Sequence, residues 1–454
     1  MVRFLKWLLA AAAVVVLGVA GAYGVSRAMG PSELEREALA LVDASPAPPA
    51  RDGFAALYTA AHDVPEAAQA SLLEEDVRRL AATPLSADGA SDWRSLLQER
   101  RSLVDARADD PAWCNLRDAT CLATVRSARD AYAGLLERHA RLLDRAEALQ
   151  GYDGFPNPFP SRLDTPIPSY QVLFRLTTRT AWRFAQGQVD QALADACSDV
   201  AMGRRMIDAG DSLIGSMVAA ALVQGNAQLL AQMLAELPRD RPLPGQCHQA
   251  FERSPALEQG VCRTMLSEGR FMAGGLRSQG GSAASAAGVA GEVPSWMAGA
   301  LFDREKTAAR VAPTFAWYCG DEVRQLLAQD KPLRAPPLPP SRRSLACLSN
   351  PVGCILADIA HPAYGDYGMR LQDTDARLRT MRTLLWLRDQ AGPVDASTLG
   401  RVPAALRSEA RPFRLDPQAG TLATPVYSAA GRDTGGSWSV PLPASRFQAA
   451  ASSP

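Results

Sequence analysis

Three residues in this chain have the types of a hydrolytic triad: Ser212, Asp358 and His361. A serine hydroxyl becomes a nucleophile when a histidine takes its proton and a carboxylate orients that histidine. Ser212 lies in Gly210-Asp211-Ser212-Leu213, and Asp358 and His361 stand in D-x-x-H spacing in "ADIAH". Such a serine belongs on a strained strand-to-helix turn, where its hydroxyl is pushed into a site. The preceding stretch, "ALADACSDVAMGRRMIDA", does not spell a strand. It is charged, and it places Leu193, Val200 and Met206 at helical intervals. Gly210 is therefore expected to end one helix in the left-handed conformation, with Asp211 capping the next. Ile214, Val218, Ala221, Leu229 and Met233 then form an apolar stripe for a core. The expectation is a helical corner, with Ser212, Asp358 and His361 as a catalytic alternative.

The two blocks resemble those of the GDSL family of serine esterases. The resemblance implies Ser212 as nucleophile, with Asp358 and His361 completing the triad, on a chain of alternating strands and helices. It rests on six residues of 454. The family's oxyanion-hole asparagine stands in G-x-N-D. Here Asn226 lies in "VQGNAQ" and Asn350 in "CLSNPVGC", neither in that setting.

Other chemistry is sparse. The chain has no G-x-S-x-G, no H-E-x-x-H, no phosphate loop and no dinucleotide fingerprint. The four histidines (His62, His139, His248 and His361) are scattered, and no C-x-x-C occurs, so neither a metal nor a cofactor is expected. Formal net charge is zero, which excludes a chain whose main task is to hold nucleic acid. Arg370, Arg377, Arg379, Arg382 and Arg388 give one late segment a basic character. They are expected on a solvated face, paired with Asp373, Asp375 and Asp389. His361, beside Pro362 and near Tyr364 and Tyr367, forms a polar–aromatic cluster.

The elements that would position these residues begin with an apolar N-terminus. Arg3 and Lys6 precede an uncharged run from Trp7 to Ser26, about long enough to span a bilayer as a helix. The basic residues before it keep the N-terminus inside. The expectation is a single-pass anchor in a bacterial inner membrane, contacting the bilayer through residues 7–26, with the rest of the chain in the periplasm. A cleavable signal peptide ending near Ala20-Gly21-Ala22 is the rival. Eight cysteines agree with export to an oxidising compartment. Cys114 with Cys121, and Cys347 with Cys354, are expected as short-loop disulfides. Positions seven apart on one helix lie about 10 Å apart, too far for a cystine, so each pair should close a non-helical loop. The pairing of Cys197, Cys247, Cys262 and Cys319 stays open among three connectivities.

Helical periodicity dominates the remainder. Helices are expected over 31–44, twice within 66–108, once over 127–149, and three times between 170 and 237, with Gly187 and Gly210 at the turns. Five prolines make 151–169 an ordered or lid-like loop. The Gly/Ala-rich stretch 272–295 is expected as a mobile loop. A helix over 369–392 precedes strand and turn signals.

The fold class is mainly α, an irregular array of helical hairpins with a small C-terminal helix and β-hairpin unit. The expected regions are an anchor (1–28), an N-terminal helical region (29–150), a central core (151–330), a Pro-rich linker (331–345) and a C-terminal unit (346–454). This plan resembles that of single-anchor exported helical proteins of Gram-negative bacteria. The expected function is a non-catalytic binding or scaffolding module of the cell envelope, with an envelope protein or peptide as partner. The alternatives are the serine hydrolase and an accessory subunit of an inner-membrane complex.

Overall fold

The structure, a computed structural model, describes residues 2–85, 91–117, 119–162, 164–251, 257–278, 299–334, 336, 344–360, 364–390, 392, 394–428 and 435–442. Helix α1 (Val2–Ala28) is long and apolar enough to cross a membrane, and its apolar residues are exposed. Its last turn is held by the body. Ser26 is buried; its hydroxyl donates to Ser349 Oγ at 2.9 Å and accepts from the Ser349 N–H at 2.9 Å. Lys306 Nζ donates to the carbonyls of Ser26 (3.0 Å) and Arg27 (2.9 Å), satisfying acceptors that a helix end leaves open. The loop carrying Ser349 is closed by the Cys347–Cys354 disulfide.

After four intervening residues, helix α2 (Glu33–Asp43) starts on a capping box between Ser32 and Glu35. Next come α3 (Phe54–Thr59) and α4 (Glu66–Ala82). The second helix expected before residue 108 reduces to one 3₁₀ turn, Leu96–Glu99. The single helix expected over 127–149 is interrupted twice, giving α5 (Cys121–Ser127), α6 (Arg129–Arg138) and α7 (Ala140–Ala148). The second break falls at His139. Its buried ring lies between the carbonyls of Leu135 (2.9 Å) and Asp105 (2.7 Å), so a contact to a distant loop overrides the local pattern. The Pro-rich segment 151–169 is an ordered loop, with Phe159 packed on Phe54, Tyr58 and Trp93.

The centre is formed by α8 (Gln171–Ala185), α9 (Val189–Ala209) and α10 (Leu213–Glu236). Gly187 and Gly210 take φ of +80° and +63° at the two turns, where a side chain would be strained. Helix α10 matches α1 in apolar length but is largely buried, as a core helix should be. It touches α8, α9, α11 (Gly245–Phe251)'s neighbour α12 (Leu257–Ser278), and the later elements of the chain. Residues 272–278, expected in a loop, are the last two turns of α12, because Ala273 and Leu276 find places in the core. The rest of that stretch, 279–295, lies outside the described residues.

After α13 (Arg304–Ala316) and α14 (Asp321–Ala328), the chain continues through α15 (Pro351–Ala360), α16 (Gly365–Asp389) and α17 (Ala396–Gly400). It ends in a three-stranded antiparallel sheet of β1 (Arg414–Asp416), β2 (Thr421–Pro425) and β3 (Ser437–Pro441), in that order. Leu422 pairs with Val440, and both are fully buried. Tyr364 and Leu371 pack in one core with the N-terminal helices. Leu384, Leu422 and Val440 pack in the other with α9 and α10. The protein is thus mainly α with a small C-terminal sheet.

A buried charge cluster ties that sheet to α16. Arg411 is 1% exposed, and its guanidinium meets Asp373 at 3.0 Å and also Asp330. Asp373 further accepts from the N–H groups of Tyr427 (2.8 Å) and Ser428 (3.0 Å). Asp330, in the left-handed region at φ +51°, also accepts from Arg379 at 2.6 Å. The arginines of α16 are therefore not a solvated face. Arg377, Arg379 and Arg388 are buried, because α16 is covered by α10, α12 and the sheet.

Candidate functional site: an arginine-lined cleft

The structure places Ser212 at the corner between α9 and α10. Gly210 is the left-handed residue that ends α9, as its position implied. The cap of α10 is one residue later than expected: Ser212, not Asp211, accepts from the Gly215 N–H at 3.0 Å. Asp211 instead reaches across to the Phe155 N–H at 2.5 Å, and burial raises its carboxyl above the ordinary range. The niche beside Ser212 measures about 10 Å³, room for a single water centre and not for an ester. Asp358 lies on α15 with the Arg310 guanidinium 3.8 Å away. His361 lies outside the described residues.

A larger feature runs along the open side of α10. Two adjoining hollows of about 670 and 330 Å³ share Leu116, Arg117, Met217, Ala221 and Arg370 as a common boundary, and together form one cleft. Its floor is the α10 face from Leu213 to Gln228. At 1.5 Å per residue this is roughly 22 Å long. Ile214, on this floor, is 45% exposed and offers apolar surface to the cleft. One wall is the loop after Cys114, held to the start of α5 by the Cys114–Cys121 disulfide. Leu116 of that loop seats against Gly225, where a Cβ would stand 2.5 Å from its Cδ2. The other walls come from α8, α16 and the outer face of β3, through Ser437 and Ser439.

Four guanidinium groups line the cleft: Arg117, Arg175, Arg370 and Arg377. No carboxylate does among the described residues. Arg370 is partly neutralised by Asp366 at 2.8 Å and lies over the Tyr367 ring. The other walls offer less. Arg175 lies 5.0 Å from the centre of the Trp113 ring; its Nη1 is buried without a hydrogen-bond partner, and burial lowers its pKa. Arg377 is 7% exposed; its Nε has no partner, and the group forms no ion pair among the described residues. Burial pushes it down to about 10. Asp373, four residues earlier, is within electrostatic reach, but its oxygens are already occupied by Arg411 and two backbone amides.

Sequence reasoning placed Arg370 and Arg377 on a basic helix but missed the cleft. One signal was available: α16 carries five arginines against four aspartates, so local pairing leaves one over. Arg117 and Arg175 gave no signal, since their neighbours in the cleft are distant in the chain. No group of three or more metal-ligating side chains gathers among the described residues. All eight cysteines are paired, with Cys197–Cys247 and Cys262–Cys319 as the two long-range bonds. Compared with protein-family models, curated proteins and solved structures, the chain finds no match.

Proposed function

We propose that the protein is an exported binding module, held on the outer face of an inner membrane by α1, whose ligand occupies the arginine-lined cleft. The observation that carries this reading is the lining of the cleft: four guanidinium groups and no carboxylate among the described residues. Charges held at a partly buried wall without counter-charges are costly, and an incoming anion reduces that cost. The anchor is supported by the exposed apolar length of α1, and its direction by Arg3 and Lys6 before the run. Four disulfides support an oxidising compartment. Ser212, as a helix cap in a niche the size of one water, supports binding over acyl transfer.

Two measurements test the halves separately. A C-terminal alkaline phosphatase fusion should be active in cells and a cytoplasm-only reporter silent; the reverse pattern refutes the location. A photo-crosslinking residue replacing Ile214 should capture a partner that the same residue at Glu99, exposed and outside the cleft, does not. Equal capture at both positions refutes the cleft as the binding site.

A further inference from the structure

We infer that the ligand of this cleft is an extended acidic segment of another protein, with carboxylates alternating among apolar side chains. The inference rests on the binding-module reading and is independent of the membrane. Charge comes first: among the described residues the cleft presents four guanidinium groups and no lining carboxylate, a lining that favours an anionic occupant. Spacing comes second. Arg370 and Arg377 are seven residues apart on α16, roughly 10 Å along its axis. Arg175 lines one hollow and Arg377 the other. An anionic amphiphile gathers its charge at one end, and a free phosphate at a point. A peptide distributes charge along its length. The third argument is the floor. Ile214, Met217, Val218 and Ala221 offer apolar contact between the arginines. A cleft roughly 22 Å long accepts about six or seven residues of extended chain at 3.3 Å each.

Guanidinium suits this task. Its planar fork can hold a carboxylate through two parallel hydrogen bonds, which Lys cannot do, and Arg175 and Arg377 both line the cleft. The chain's own remaining segments do not meet the requirement. Each segment outside the described residues carries at most one acid (Asp88, Asp118, Glu252, Glu292 or Asp433), so none offers alternating carboxylates. The occupant is therefore a partner's segment.

The test uses the full chain in a non-ionic detergent and a fluorescent octapeptide of alternating Glu and Leu, read by anisotropy. Binding should be saturable and should weaken as salt rises. A Gln-for-Glu peptide should bind at least about tenfold more weakly, as should the acidic peptide to Arg377→Met or Arg175→Met, each removing one charge-assisted contact. Thermal unfolding of both variants, unchanged or raised, keeps a loss of binding from being ascribed to misfolding. Equal binding of the Glu and Gln peptides overturns the proposal. So does undiminished binding by the double variant. So does complete displacement of the peptide by inorganic phosphate at equal concentration, or by vesicles of anionic lipid, which would assign the site to a point anion or to a headgroup. Should the peptide fail while Ile214 still crosslinks selectively, the ligand class falls and the binding module stands. Failure of both removes the binding reading itself.

Discussion

Arg411 and Arg377 are two buried guanidinium groups that share one neighbour, Asp373, and they fare oppositely. Arg411 lies under the sheet with two carboxylates against it and the Tyr427 ring 4.3 Å away. Arg377 lines the cleft and forms no ion pair among the described residues. A carboxylate offers only about four acceptor positions. Asp373 gives its oxygens to Arg411 and to two amides, which leaves Arg377 to whatever enters the cleft. The contrast separates two uses of the same residue. At Arg411, which joins segments of the fold, the chain supplies two counter-charges; at Arg377, which faces the cleft, it supplies none in direct contact among the described residues.

The contrast breaks most directly by mutation at both places. Arg411→Met leaves Asp330 and Asp373 buried without their main partner and should cost about 3–5 kcal/mol in urea unfolding. Arg377→Met should be neutral or stabilising, since it replaces an unpaired buried charge with an apolar group of similar length. If both variants lose stability equally, Arg377 is structural and the distinction between the regions fails.

Asp199 sharpens the same point with the opposite charge. Like Asp373 it is buried, but only Gln150 donates to it (2.7 Å), and its second oxygen has no partner. Burial raises its pKa from 3.8 to about 8. The folded state therefore holds this proton more tightly than the unfolded chain. Its contribution to stability is fully present below pH 3.8 and is lost as pH rises toward 8. Asp199→Asn should flatten that slope and be the more stable protein at pH 8, by about 1–3 kcal/mol, the cost of an unsatisfied buried polar group. A wild-type melting temperature unchanged from pH 5 to pH 8 would refute this.

The smallest effect is expected at the corner where chemistry was first sought. Ser212→Ala removes the cap of α10 and should cost about 1 kcal/mol. A fluorophosphonate probe should leave Ser212 unlabelled. Labelling that disappears in Ser212→Ala would restore the hydrolase and displace the cleft as the site of function.

Much of the fold was legible because its signals are local. Gly187 and Gly210 punctuate three helices that the apolar spacing had outlined. Gly420 and the alternating residues around it belong to the small sheet. What escaped depends on partners far along the chain. His139 breaks a helix by meeting Asp105, thirty-four residues away. Asp211 yields the cap to Ser212 because Phe155 engages it. The cleft was the least legible part, since α8, α10, α16 and the Cys114 loop are separate in sequence and only packing brings them together. An arginine whose natural partner is already taken looks, in sequence, like any other arginine on a basic helix.

The grip on the last turn of α1 has one more consequence. A disordered Gly-rich tether lets its cargo wander over roughly 5–6 Å times the square root of its length in residues. Here Ser26, Arg27, Lys306 and Ser349 are already joined before the chain leaves the helix. Were α1 to anchor the chain in a bilayer, the body would stand on it as on a mast, its height set by the helix and not by a slack linker. In that setting, lengthening α1 by a full turn would raise the body about 5.4 Å with its heading nearly unchanged, whereas two added residues would turn it roughly half-way round.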